Sequence, residues 1–263
     1  MILQRHCRLP LLQENEPFNM IAAIIQARTG STRLLNKIFL DIEGKPLIWH
    51  IAHRISHSKM IERIIIATTT NLRDDILENW ARNQRLDVFR GSEEDVLSRY
   101  YEAAQFYDVD TIVRITSDDP FKDPVIIDLV VSSFLNNQVD FAYNNNPPTF
   151  PEGLDVEVFS SAALADANKD SADPFEREHV TQFFYRNSHR FRQTNIENPQ
   201  NLSYLRWTID SQPDIDMARE VYSKLYKSGN IFLMNEILDL LRKYPYIADM
   251  NAGVKRSAMY SLK

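Results

Sequence analysis

Residues Met20–Lys37 read MIAAIIQARTGSTRLLNK, and the fold turns on them. Ile21–Ile25 is an unbroken apolar run rich in isoleucine, the pattern of a strand buried on both faces. The chain then changes character. Gln26–Lys37 carries the cations Arg28, Arg33 and Lys37 among Thr29, Ser31 and Thr32, with Gly30 one of only six glycines in the chain. Hydroxyls and backbone amides that approach closely, together with fixed positive charge, suit a polyphosphate. The same composition also describes a solvated basic loop. Neither Walker A nor dinucleotide glycine spacing is present.

Working outward, apolar runs alternate with helical periodicity. Helices are predicted over Leu47–His57, Asp74–Arg85, Glu93–Tyr107 and Val125–Asn136, and strands over Ile61–Ala67, Asp87–Phe89 and Thr111–Ile115. This alternation predicts an α/β fold whose mostly parallel central sheet is covered by helices on both faces. Ligands in such folds lie beyond the carboxyl ends of the strands. Three loops therefore matter, those after Ile25, Ala67 and Ile115, and the last contains Ser117-Asp118-Asp119-Pro120.

After the Asn144–Pro148 turn the texture is less regular. Strands are predicted over Leu154–Phe159, Phe191–Ile196 and Tyr204–Ile209, and helices over Pro174–Arg186, Asp214–Tyr226 and Ile231–Tyr244. Residues 20–263 read as one domain with a smaller antiparallel sub-region at about 144–203. Residues 1–19 read as a poorly ordered extension, with Met20 an alternative initiator. The composition, 44% hydrophobic and 25% charged, is that of a soluble globular protein. A net charge of −6 argues against a nucleic-acid partner. No run approaches the roughly 18 apolar residues of a membrane span, so no membrane partner is expected. Cys7 alone excludes an intramolecular disulfide and points to the cytoplasm.

The run Ile24–His50, IIQARTGSTRLLNKIFLDIEGKPLIWH, resembles the start of the cytidylyltransferase superfamily, which activates acidic sugars such as KDO and neuraminic acid as CMP-sugars. Within it the chain is most similar to the SpsF-type spore-coat polysaccharide branch. The likeness continues through ATTTN (Ala67–Asn71), VFRGSEEDVLSRYYEAA (Val88–Ala104), VRITSDDPF (Val113–Phe121), GLDVEVF (Gly153–Phe159), EREHVT (Glu176–Thr181) and LRWTIDSQPDID (Leu205–Asp216). It covers about residues 20–228 and is far more specific for the superfamily than for the substrate.

The resemblance implies a Rossmann-like nucleotide-diphospho-sugar transferase fold, commonly dimeric, that moves CMP from CTP to a sugar or sugar-like acceptor with Mg²⁺. It places Gln26, Ala27, Arg28, Gly30, Ser31, Arg33 and Lys37 on the triphosphate. Base and ribose then fall near Thr68, Thr69, Arg90, Ser98 and Arg99. Asp118 and Asp210 are the implied metal ligands, with Asp119 competing for the first role, and Arg28, Lys37 and Asp210 the catalytic set. Alternation along the predicted strand puts Asp155 and Glu157 on one face, where they and Glu176 and His179 could meet the acceptor. His50, His53 and His57, like the tyrosines of Glu93–Tyr107 and the tryptophans, read as structural. No general base is obvious.

Relatives usually carry Leu-Pro-Gly before the lysine, whereas this chain has Leu34-Leu35-Asn36. Asn36 can still supply a left-handed turn. Two other functions stay open on sequence: a nucleotide-sugar-dependent glycosyltransferase on a similar scaffold, and a non-catalytic nucleotide-binding protein.

Overall fold

The structure is a computed structural model that describes residues 19–31 and 34–255. Nearly all of the expected extension, and Thr32 and Arg33 of the basic loop, lie outside the described residues.

The chain runs from β1 (Ile21–Gln26) through a small hairpin, β2 (Asp41–Ile42) and β3 (Lys45–Pro46), into α1 (Leu47–Ile55). Then follow β4 (Arg63–Thr69), α2 (Asp75–Asn83), β5 (Asp87–Gly91), α3 (Val96–Phe106), β6 (Thr111–Thr116) and α4 (Pro124–Asn137). Beyond these come β7 (Phe141–Tyr143), β8 (Glu157–Ser160), α5 (Ser161–Asp170), α6 (Pro174–His179), α7 (Gln182–Arg186) and β9 (Gln193–Asn195). The chain closes with α8 (Gln212–Leu225), α9 (Met234–Lys243) and α10 (Tyr246–Asp249).

Seven strands form one mixed sheet in the order β5-β4-β1-β6-β8-β7-β9. β1 is parallel to both β4 and β6, and β5 is parallel to β4. β8 enters antiparallel to β6 and to β7, and β9 lies parallel to β7. The expected α/β class with a mostly parallel sheet is what the structure shows.

Because side chains alternate along a strand, each central strand feeds two cores. Ile21, Ala23 and Ile25 pack with Ile48 and Ile51 of α1 and Ile127 and Val130 of α4. Ala22 and Ile24 pack on the other side with Leu97 and Tyr100 of α3 and Phe184 of α7. Tyr100 is fully buried, and its hydroxyl donates to the carbonyls of Ile24 and Ile115 at 3.1 and 3.3 Å. The structural reading of that tyrosine holds.

Three predicted elements need correction. Tyr204–Ile209 is not a strand: it opens in a turn, with the Leu205 amide donating back to the Leu202 carbonyl, and makes one isolated parallel bridge, Glu152 with Arg206, plus single hydrogen bonds to neighbouring loops. The helix predicted over Pro174–Arg186 is broken at Val180, whose φ of 56° leaves the helical region. The strand predicted over Leu154–Phe159 begins only at Glu157, so Asp155 precedes it and the two carboxylates are not strand neighbours. The periodicity also passed over β7, the β2–β3 hairpin and α5, each too short or too weakly amphipathic to stand out.

Candidate active site

The carboxyl ends of β1 and β6 open onto a cleft of about 590 Å³. Gln26, Ala27, Arg28, Gly30 and Ser31 line it from the first loop, and Ser117 and Asp118 from the loop after β6. Arg99 of α3 and Pro174, Glu178 and His179 of α6 complete the opposite wall.

The first loop is pinned at Thr29. Its amide and its hydroxyl both donate to Asp74 Oδ1 at 2.7 Å. Thr69, at the end of β4, donates its hydroxyl to the other oxygen of the same carboxylate. Burial alone would push the Asp74 carboxyl up, but these bonds from Thr69 and Thr29 outweigh it and hold the group below the usual carboxylate range. Further along, Asn36 takes φ 51°, ψ 35°, the left-handed conformation its side chain tolerates. That turn delivers Lys37 into a one-turn 3-10 helix, Lys37–Phe39.

Lys37 Nζ donates to Asp118 Oδ2 at 3.1 Å, to Asp210 Oδ1 at 3.2 Å and to the Ile209 carbonyl at 2.8 Å. Burial works against the ammonium, yet the two carboxylates more than offset it and raise its pKa. Burial likewise disfavours Asp118 as an anion, and Lys37 reverses this, holding it below its usual range. The lysine is therefore charged, and so is its partner.

No strand places Asp210, so other contacts do. The Ile209 amide donates to the Asp118 carbonyl at 2.8 Å, tying the two aspartate-bearing segments together. Arg206 Nη2 donates to Asp210 Oδ2 at 3.0 Å. The same buried guanidinium is held by Glu152 at 3.0 Å and Asp214 at 2.9 Å. Glycine at 153 is what allows this segment to lie so close: a Cβ there would meet the Trp207 carbonyl carbon at 2.8 Å.

Asp119, the competitor for the first aspartate role, is turned inward. It accepts from Lys122 Nζ at 2.9 Å and from Thr116 Oγ1 at 2.9 Å, and burial pushes its carboxyl up to about 6.

The described residues hold no group of three or more metal-ligating side chains. Two carboxylate oxygens from Asp118 and Asp210 nevertheless converge on one cationic atom. Such a pair fits a hard dication that takes its remaining oxygens from phosphate and water.

Several expected residues do not reach the cleft. Thr68 and Thr69 are wholly buried behind it, and Thr69 is spent on Asp74. Arg90 is held away by Asp75 at 2.6 Å and Glu78 at 2.7 Å on α2. Ser98 turns along its own helix to Glu102 at 2.8 Å. Glu157 is buried against Arg114 at 2.6 Å, and Glu176 against Ser171 at 2.8 Å and Arg186 at 3.1 Å. Asp155 has its carbonyl bound by Lys122. Of the four acceptor candidates only His179 lines the cleft.

Other residues enter that the sequence reading passed over. Glu93 and Glu94 line the cleft from the loop after β5, and Glu93 binds Arg28 at 3.2 Å and also Arg73. Arg73 packs directly on Gly30, where an added Cβ would lie 2.6 Å from its guanidinium carbon. The strand-end rule applied to the loop after Phe89 leads to the two glutamates. No local signal leads to Arg73 or Arg206.

A profile of the cytidylyltransferase family matches residues 22–246. An uncharacterised protein of Methanocaldococcus jannaschii is 36% identical over 242 residues, 90% of this chain and 97% of that protein. The spore coat polysaccharide biosynthesis protein SpsF of Bacillus subtilis is 32% identical over 235 residues, 86% of this chain and 96% of its own length. A cytidylyltransferase structure from Leptospira borgpetersenii superposes with a TM-score of 0.83 at 33% identity, covering 88% of this chain and 97% of that one. A lysine held between Asp118, just beyond β6, and Asp210, in the segment before α8, is thus found in a chain that belongs to the cytidylyltransferase family.

Proposed function

We propose that the enzyme transfers CMP from CTP to a sugar or sugar-like acceptor in surface polysaccharide biosynthesis, releasing pyrophosphate. The observation that carries this is Lys37, a charged ammonium held at the mouth of a cleft whose wall is the Gln26–Ser31 loop. In this reading the loop amides and the Thr29–Asp74 anchor shape the seat for the triphosphate. Arg28 and Lys37 face the β- and γ-phosphates and offset the charge that grows on the leaving pyrophosphate. Arg99, buried with its Nε unpaired and lining the cleft, is placed to meet the nucleotide.

Asp118 and Asp210 would hold Mg²⁺, which neutralises phosphate oxygens when bound. Arg206 keeps Asp210 oriented from behind. The basic loop favours a triphosphate donor, because a glycosyltransferase using a nucleotide-sugar releases no pyrophosphate to be held.

The test is a pyrophosphate-release screen of the four nucleoside triphosphates against sugar acids, sugar phosphates and polyol phosphates. Release with CTP and one acceptor is the expected result. Glycosyl transfer from a preformed nucleotide-sugar would replace this reading, and so would CTP binding without release in any combination.

A further inference from the structure

We propose that His179 is the base that takes the proton from the attacking acceptor hydroxyl, and that a strained turn at Val180 fixes it there. The proposal rests on the CMP-transfer reading above.

Val180 has φ 56° and ψ −66°. The Thr181 amide donates back to the His179 carbonyl at 2.6 Å, which makes this a γ-turn of the rare positive-φ kind. A β-branched residue is ill suited to that conformation, and such outliers persist only where the surroundings over-determine them. Here they do. Val180 is wholly buried, and Thr181 donates its hydroxyl to Glu157 Oε1 at 3.1 Å. Tyr185 donates to the same oxygen at 2.9 Å, and Arg114 grips the other at 2.6 Å. The turn that ends α6 is therefore bolted to the sheet through Glu157, which makes Glu157 a positioning residue.

The side chain this turn presents to the cleft is His179. Its ring packs edge-on against Phe175, with centroids 4.5 Å apart. Glu178 and Arg114 act on it directly; Arg177 on α6 pairs with Asp95 before α3, Arg186 on α7 pairs with Glu176, and Glu94 and Arg99 share the cleft lining. Burial lowers the imidazole pKa, Glu178 opposes this and Arg114 adds to it, so the ring is uncharged at neutral pH.

The other cleft groups serve less well. Arg28, Lys37 and Arg99 are cations without a lone pair to offer. Asp118 is engaged by Lys37, and Glu93 by Arg28 and Arg73. Glu94 and Glu178 are exposed carboxylates, whereas imidazole is the side chain whose basicity best matches neutral pH. In the step itself, the acceptor oxygen bonds to the α-phosphorus of CTP. The bond from that phosphorus to the α–β bridging oxygen breaks, and pyrophosphate departs with the electron pair. The hydroxyl proton passes to an imidazole nitrogen of His179 and then to water.

The experiment measures pyrophosphate release by the full chain with CTP, Mg²⁺ and the fastest acceptor of the panel above, between pH 5 and 9. His179→Asn and His179→Gln are compared with wild type, with CTP affinity by calorimetry and thermal melting as controls. The expected result is a fall in kcat of about 100-fold or more. Wild type should lose activity as the pH drops through the imidazole range, the variants should lack that acid limb, and CTP affinity should stay within twofold. Folded variants with wild-type kcat, or with the acid limb intact, overturn the role of His179 and leave CMP transfer standing. Wild-type protein that binds CTP yet releases pyrophosphate with no panel compound overturns the transfer reading, and this proposal with it.

Discussion

Lys37 Nζ lies 3.2 Å from Asp210 Oδ1 across 173 residues of sequence, and the pair closes the site. A loop at the start of the domain and a segment near its end meet through one ion pair, with Asp118 as the third member. Replacing Lys37 with Met leaves Asp118 and Asp210 without the cation they share, with only Arg206 still on Asp210, and removes a charge from the proposed phosphate seat. Pyrophosphate release should fall by about 10²–10³ in kcat/KM. Lys37→Arg should recover little, because a planar fork does not replace a point charge held by three acceptors. Release within threefold of wild type in Lys37→Met would remove the lysine from the mechanism.

Asn36 governs how Lys37 arrives. At φ 51° a glycine is at ease, so Asn36→Gly should keep activity within about threefold and leave stability within about 1 kcal/mol. Asn36→Val forces a β-branched side chain into the same backbone and should cost about 1–2 kcal/mol. Its KM for CTP should rise as the lysine is displaced. Denaturant melts and steady-state kinetics on the two variants check both halves, and equal behaviour of the two would refute the link.

Gly153 controls Asp210 at a distance. It sits at φ 102°, and a Cβ would press on the Trp207 carbonyl and the Thr208 amide at 2.8–3.0 Å. Those atoms are backbone and cannot swing aside. Gly153→Ala should lower stability by about 2 kcal/mol or more and reduce turnover beyond what the lost folded fraction explains. Chemical denaturation alongside kinetics normalised to folded protein separates the two effects.

His50 predicts acid sensitivity of the fold. Its Nε2 pairs with the Ile42 carbonyl at 2.8 Å in a packed setting beside Tyr222, and burial lowers its pKa to about 4. The unfolded chain protonates its histidine near 6.5. Between these values the unfolded state binds the extra proton, so this stability is fully present above 6.5 and is lost as the pH falls toward 4. The loss from this group amounts to about 3 kcal/mol. His50→Gln, which keeps a donor for Ile42, should flatten that slope in urea melts at pH 7, 6, 5 and 4. An unchanged slope would assign acid sensitivity elsewhere.

The sheet was legible because β1 is a continuous apolar run and β4 and β6 are rich in isoleucine, valine and threonine, the pattern of strands buried on both faces. The left-handed turn at Asn36 was equally readable, since it depends on the residue itself. Asp210 was found by resemblance, although the strand assigned to it does not exist. The residues expected near the base were harder. Thr69 has the right chemistry and the right strand end, yet its hydroxyl is spent on Asp74, five residues on.

Sequence alone determined the α/β class, the strand ends that face the cleft, and the basic loop that brings Arg28 and Lys37 to its wall. These depend on periodicity and on a single strand–loop boundary. Only the tertiary structure decided where each carboxylate is paired. Glu157 was drawn into a buried pair with Arg114 and Glu176 onto the exposed Arg186, Asp119 went to Lys122, and Asp118 and Asp210 met on Lys37. The reason is electrostatic: a buried charge must find an opposite partner, and which partner lies within 4 Å is set by packing between segments far apart in the chain.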